Sequence, residues 1–148
     1  FRDTTSWYHM VIYNNQGSIK WYVNGTEFHS GTGYSFSQIN LAAAYQQMGI
    51  VTAPPSSAYY SKFYLAEYNF IDGQALSADY FGKTQDGVWV AKAYDGTTNE
   101  LGDATDVEYG TNGFKLTFAD SGDLGKDTAP TSGSNVSNHS AANNWTNN

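Results

Sequence analysis

The sequence predicts an all-β fold, an antiparallel β-sandwich or jelly roll, and three observations carry that expectation. Gly and Asn are abundant while the helix-forming surface residues Lys, Glu and Leu are scarce. Aromatic and β-branched residues gather in short runs of strand length. Turn residues separate those runs, and no internal repeat of 20 to 50 residues is present. The 148 residues suit a single core, because a chain of this size buries roughly 68–70% of its unfolded surface.

The first elements form a hairpin. Trp7 to Tyr13 and Ile19 to Val23 are the strands, and Asn14-Asn15-Gln16-Gly17-Ser18 is the polar turn between them. With a period of two, Ile19, Trp21 and Val23 share one face of the second strand, and Lys20 and Tyr22 share the other. Asn24-Gly25 tolerates positive φ, so a tight turn leads into a third strand at Thr26-Glu27-Phe28.

Farther along, Leu41 to Met48 has local helix propensity, although a sheet can override it. Phe63 to Ile71 is the next strong strand, with Ala66, Tyr68 and Phe70 expected inward and Glu67 and Asn69 outward. Ser77 to Phe81 reads as one helical turn with Ser77 as N-cap and Gly82 as its stop. Val88-Trp89-Val90 and Phe114 to Phe118 are short strands, the latter with Phe114, Leu116 and Phe118 on one face. From Ala119 the chain is Ser, Asn, Thr, Gly and Asp almost to Trp145. Such a stretch offsets its ordering entropy only by lying against the sheet or a neighbour. The expected organisation is therefore residues 1–118 as the sandwich portion and 119–148 as a polar extension.

Charge and composition exclude several functions. Fourteen acidic against seven basic residues give a formal net charge of -7, which repels phosphate backbones and anionic headgroups. Nucleic-acid binding is not expected. Neither is membrane insertion, since no apolar run approaches the roughly 20 residues a spanning helix needs. The absence of cysteine removes disulfides, thiolate zinc sites and Cys nucleophiles.

The order of motifs resembles a known family. Trp7-Tyr8-His9-Met10-Val11, Ile19 to Gly25 and Tyr64 to Ser77 look like the second half of a laminin-G-like, concanavalin A-like jelly roll. The version found in tail-fibre and other virion proteins of bacteriophages, notably cyanophages, is the most similar. Phe81-Gly82, Gly87-Val88-Trp89, Tyr109 to Phe114, Leu124 to Asp127 and Asn143 to Thr146 continue the likeness in order. It implies that Ile39 to Gly49 is a strand, and that strands matching the first half of the jelly roll precede Phe1. On that expectation the chain is the C-terminal part of a longer domain, or neighbouring chains complete the sandwich.

Candidate chemistry is sparse. A retaining glycosidase needs two carboxylates about 5–5.5 Å apart. Glu67 has Ile71 at i+4 and Asp72 on the other face at i+5, so the strand offers no such pair. His9, His29 and His139 have no Ser or Asp partner at a recognisable spacing. Catalysis is therefore not expected. Asp120, Asp123 and Asp127 supply hard oxygen ligands that suit Ca²⁺, but they lack EF-hand order and a bidentate Glu, as does the group Glu100, Asp103, Asp106 and Glu108. A solvated acidic loop accounts for them, and no other cofactor is implied. Four N-x-Ser/Thr sequons, at Asn24, Asn135, Asn138 and Asn144, arise readily in so polar a chain.

Aromatic faces flanked by Asn, Asp and Gly loops are the chemistry of glycan binding, and Trp89, Tyr94 and Trp145, with Tyr59 and Tyr60, are the candidates. Most aromatic side chains in a sandwich serve the core instead. The resemblance implies a structural and adhesive virion protein, in a tail fibre or as a surface decoration, partnered by copies of itself, other virion proteins or host-surface glycans. The alternatives are a bacterial secreted or cell-surface carbohydrate-binding module, which would be extracellular, and a polysaccharide hydrolase or lyase.

Overall fold

The structure is a computed structural model that describes residue 3 and residues 5–34, 50–53, 57–60, 63–94, 109 and 112–129, with 50–53 and 57–60 described through their backbone. It is all-β and antiparallel. The strands are β1 (Met10–Asn15), β2 (Ser18–Val23), β3 (Thr26–Gly31), β4 (Ile50–Ala53), β5 (Ser57–Tyr60), β6 (Tyr68–Phe70), β7 (Gly82–Gln85), β8 (Val88–Ala91) and β9 (Phe114–Leu116). They pair as β1-β2-β3, β4-β5, β6-β9 and β7-β8. Ile39 to Gly49, expected as a strand from the resemblance, lies outside the described residues.

The N-terminal meander follows its sequence closely. β1 pairs with β2 from Met10↔Val23 to Asn15↔Ser18, so the polar turn tightens to Gln16-Gly17. Asn24 and Gly25 have φ of 49° and 75°, the left-handed pair that a type I′ hairpin turn requires. Asn24 also ties back to the start of β1: its Oδ1 accepts from the His9 N–H at 2.9 Å, and its own N–H donates to the His9 carbonyl at 2.8 Å. The register slips between Trp21 and Tyr22, where Phe28 is the extra residue of a β-bulge in β3. Strand β1 begins at Met10 rather than Trp7, and Trp7 is exposed.

The expected strand over Phe63 to Ile71 is shorter than its pattern. Only Tyr68–Phe70 is strand, and residues 63–67 form an exposed lead-in that ends on Glu67, at φ 49°. The inward and outward assignment changes accordingly. Ala66 is exposed, while Asn69 is half-buried because its Oδ1 accepts the Tyr109 hydroxyl at 2.7 Å. Tyr68 and Phe70 do reach inward, stacking on Phe114 with ring centroids 5.7 and 5.2 Å apart. The β6-β9 pairing joins positions far apart in the chain, Phe70 opposite Phe114 and Tyr68 opposite Leu116. Phe114 and Leu116 are buried as their alternation requires, and β9 stops before Phe118, which has φ 56°.

A 3₁₀ turn occupies Ala78–Tyr80, inside the segment read as one helical turn. Ser77 precedes it with extended backbone, but its hydroxyl donates to the Asp79 carboxylate instead of capping a backbone N–H. Gly82 begins β7 rather than only ending the turn.

The core sits behind the meander. Leu76, Phe81, Tyr94, Tyr109 and Ala129 form one buried cluster, against which Val11, Ile71 and Tyr80 pack. Phe81 lies 5.0 Å from Tyr94, and Tyr94 meets Tyr109 edge-on at 5.2 Å. Ala129 shows that part of the expected polar extension meets the condition for order. The Thr128 N–H donates to the Lys115 carbonyl at 2.8 Å, and Asp127 bridges to Leu116, which folds the chain back along β9.

Candidate interaction surface

The two faces of the meander have different fates. Alternation and register put Val11, Tyr13, Lys20, Tyr22, Glu27 and Ser30 on one face, and Met10, Ile12, Ile19, Trp21, Val23, Thr26 and His29 on the other. The first face meets the core through Val11. It also carries the pair Lys20 and Glu27, 3.3 Å apart and both well exposed, a screened contact that contributes little. Glu27 is held below the ordinary carboxylate range chiefly by a hydrogen bond from Ser30 and then by one from Lys20.

His9 and Trp89 fasten the meander to the β7-β8 hairpin. A Cβ on Gly25 would fall 2.3 Å from the Trp89 ring, and so would one on Gly82, so the indole lies between two glycines that leave it room. Its Nε1–H donates to His9 Nδ1 at 3.1 Å, and the two rings are 6.0 Å apart. That geometry assigns the neutral imidazole with its proton on Nε2. Burial holds the His9 pKa below its ordinary value, in keeping with a histidine that accepts a hydrogen bond.

The second face is left open. Met10 is 56% exposed, Ile12 67% and Trp21 43%. At the end nearest the Gln16-Gly17 turn the face is covered, with Ile19 buried and Asn14 opposite it half-buried. Trp21 leans on the His29 ring, 5.7 Å away, and the Tyr34 hydroxyl lies 3.4 Å from His29 Nε2. His29 is the only titratable side chain among the residues of this face.

The sequence candidates for glycan contact fall elsewhere. Tyr94 is 5% exposed and belongs to the core cluster, so its ring face is not presented to a ligand. Trp89 is half-buried between the two glycines, with its N–H already committed to His9. Both look loop-like in sequence because short strands and turns surround them. Trp145 lies outside the described residues, as do the side chains of Tyr59 and Tyr60. The large side chains of the expected strand's first residues stand out instead: Phe63, Tyr64 and Leu65 are all exposed, Tyr64 at 92%. The continuous apolar run that suggested a strand gave no sign of its exposure.

The three aspartates do not converge. Asp120 Oδ1 accepts the Gly122 N–H at 2.9 Å, and the Asp120 carbonyl accepts the Asp123 N–H, so these two residues shape a turn. Asp127 turns the other way, its Oδ1 accepting N–H groups of Lys115 at 3.0 Å and Ala129 at 2.9 Å. Among the described residues no group of three or more His, Asp or Glu side chains is placed to hold one metal ion. Asp72 has a structural task too, with Oδ2 accepting from Asn112 Nδ2 at 2.8 Å and the Asn112 N–H at 3.2 Å. Burial first, with the Asp127 and Glu67 carboxylates adding, pushes the Tyr109 phenol well above its ordinary pKa, and it stays a hydrogen-bond donor to Asn69.

Among the described residues, nine hydrophobic side chains are buried and eleven large ones are exposed. Searched against known proteins, the chain matches no family model, no curated protein and no solved structure.

Proposed function

We propose that the chain is a structural and adhesive module of a virion surface, a laminin-G-like jelly-roll portion of a bacteriophage tail fibre or decoration protein. The observation that carries this reading is the open apolar face of β1-β2-β3, with Met10, Ile12 and Trp21 exposed on a sheet whose other face meets a core. A sheet apolar on a face must bury that face against another layer. A half-covered sheet suits a part that is completed on assembly. The ordered likeness of its motifs to virion proteins supports the particle setting.

Adhesion is assigned to the exposed aromatic run Phe63-Tyr64. Aromatic faces accept the CH-rich side of a pyranose, and Tyr64 is almost fully accessible. Each such contact is weak, so its effect depends on many copies held on one particle. The test is a glycan array probed with the chain displayed on multivalent beads. Binding that falls when Tyr64→Ala is introduced, with no saccharide released from the bound glycans, is the expected result. Saccharide release would replace adhesion with a hydrolase or lyase. Absence of binding to any glycan would leave only a structural part and remove the adhesive half of the proposal.

A further inference from the structure

We infer that the open face of β1-β2-β3 closes on the same face of a second copy of this chain, giving a two-fold, face-to-face pair of sheets. The inference rests on the reading of the chain as an assembling module and names its first partner.

Area is the first argument. At about 200 Å² for a large side chain, the exposed fractions of Met10, Ile12 and Trp21 amount to on the order of 330 Å². That matches the largest apolar patches of ordinary monomers, about 300–600 Å², which are commonly functional. It also supplies about two-fifths of the roughly 800 Å² per partner in a standard interface, before Val23 and the ring of His29 are included. The patch is continuous, because Ile12 faces Trp21 across the β1-β2 pair and Trp21 faces His29 across β2-β3.

Charge selects the partner. The chain has a net charge of -7, so two copies repel one another over most approaches. The open face carries no carboxylate and no Lys or Arg, since Lys20 and Glu27 point to the opposite side. Two copies therefore meet there without like charges in the contact, and a strongly basic partner gains nothing from it. A self-complementary apolar patch is the requirement for an isologous two-fold interface. Two sheets stacked this way sit about 10 Å apart with inner side chains interdigitating, and each copy covers the open face of the other.

The experiment uses the full 148-residue chain in sedimentation velocity from low to high micromolar concentration. The expected result is a reversible dimer whose dissociation constant rises more than about tenfold in Ile12→Lys and in Trp21→Lys. Val88→Lys, an exposed position on the β7-β8 hairpin, is expected to leave it unchanged. Far-ultraviolet dichroism checks that the variants stay folded. If they do not, the cysteine-free sequence gives a second route. Ile12→Cys is expected to form a disulfide-linked dimer under mild oxidation and Val88→Cys is not. A monomer at every concentration, or a dimer indifferent to both lysine substitutions and equally cross-linked from either cysteine, overturns the inference. Glycan binding by such a monomer would leave the adhesive half of the proposed function standing, whereas a dimer that binds no glycan would keep this inference and remove that half.

Discussion

The two faces of one three-stranded sheet behave oppositely, although their strands are the same. On the inner face Val11 packs against the buried cluster, and next to it the Trp89 indole docks on Gly25, with its N–H on His9. On the outer face Ile12 and Trp21, directly opposite each other in the β1-β2 ladder, remain open to solvent. The outer face is the more apolar of the two; the inner one carries Lys20 and Glu27. Hydrophobicity alone thus does not decide which face of a sheet is closed within a chain. The decision is made by what reaches it, here a hairpin whose tryptophan fits between two residues without side chains.

The sharpest way to break that comparison is to exchange the tryptophans for alanine. Trp89→Ala removes the indole between Gly25 and Gly82 together with its bond to His9, and is expected to cost about 3 kcal/mol of unfolding free energy. Trp21→Ala in dilute, monomeric protein is expected to cost no more than about 0.5 kcal/mol, as for exposed positions elsewhere. Urea unfolding of both variants at low concentration measures the difference. Equal losses would mean that the outer face is closed within the chain.

A smaller loss is expected from filling the space beside the ring. In Gly82→Ala the new Cβ meets the indole at 2.3 Å, and the overpacking is expected to cost about 1–3 kcal/mol by the same measurement. Acid should act on the same contact. The folded His9 pKa lies below its unfolded value near 6.5, so the unfolded chain takes up the proton first. Stability from this group is present above about pH 6.5 and is lost as pH falls from there toward the folded pKa. Unfolding midpoints measured between pH 8 and pH 5 should decline over that range, and His9→Gln should flatten the decline. Ile12→Lys, on the open face, should leave the decline as it is.

Much of the inner framework was legible because its signals are local. Asn24-Gly25 fixes its turn by backbone preference, and the alternation of Ile19, Trp21 and Val23 separates the two faces of β2 before any packing is known. Asp86-Gly87, with φ of 51° and 78°, has the same chemistry and makes the β7-β8 turn. Its dipeptide could have been read the same way. What alternation cannot supply is the neighbour across a face. Trp89 and Tyr94 sit beside turns, as the aromatics of a sugar site do, yet their places are set by Gly82, His9 and Tyr109, up to 80 positions away. The opposite error arose at Phe63 to Leu65. Those residues have a buried strand's composition, but the ladder partner on β9 extends only from Phe114 to Leu116 and pairs no farther than Tyr68.

The central claim, a sheet that packs on one side against its own chain's core and on the other against a second copy, is tested most directly by hydroxyl-radical footprinting across a concentration series. Trp89, Trp21 and Met10 are the reporters, because all three side chains oxidise readily when water reaches them. Trp89 should resist oxidation at every concentration. Trp21 and Met10 should react freely in dilute solution and become protected together as concentration rises. Reactivity of Trp21 and Met10 that does not change with concentration would contradict the account.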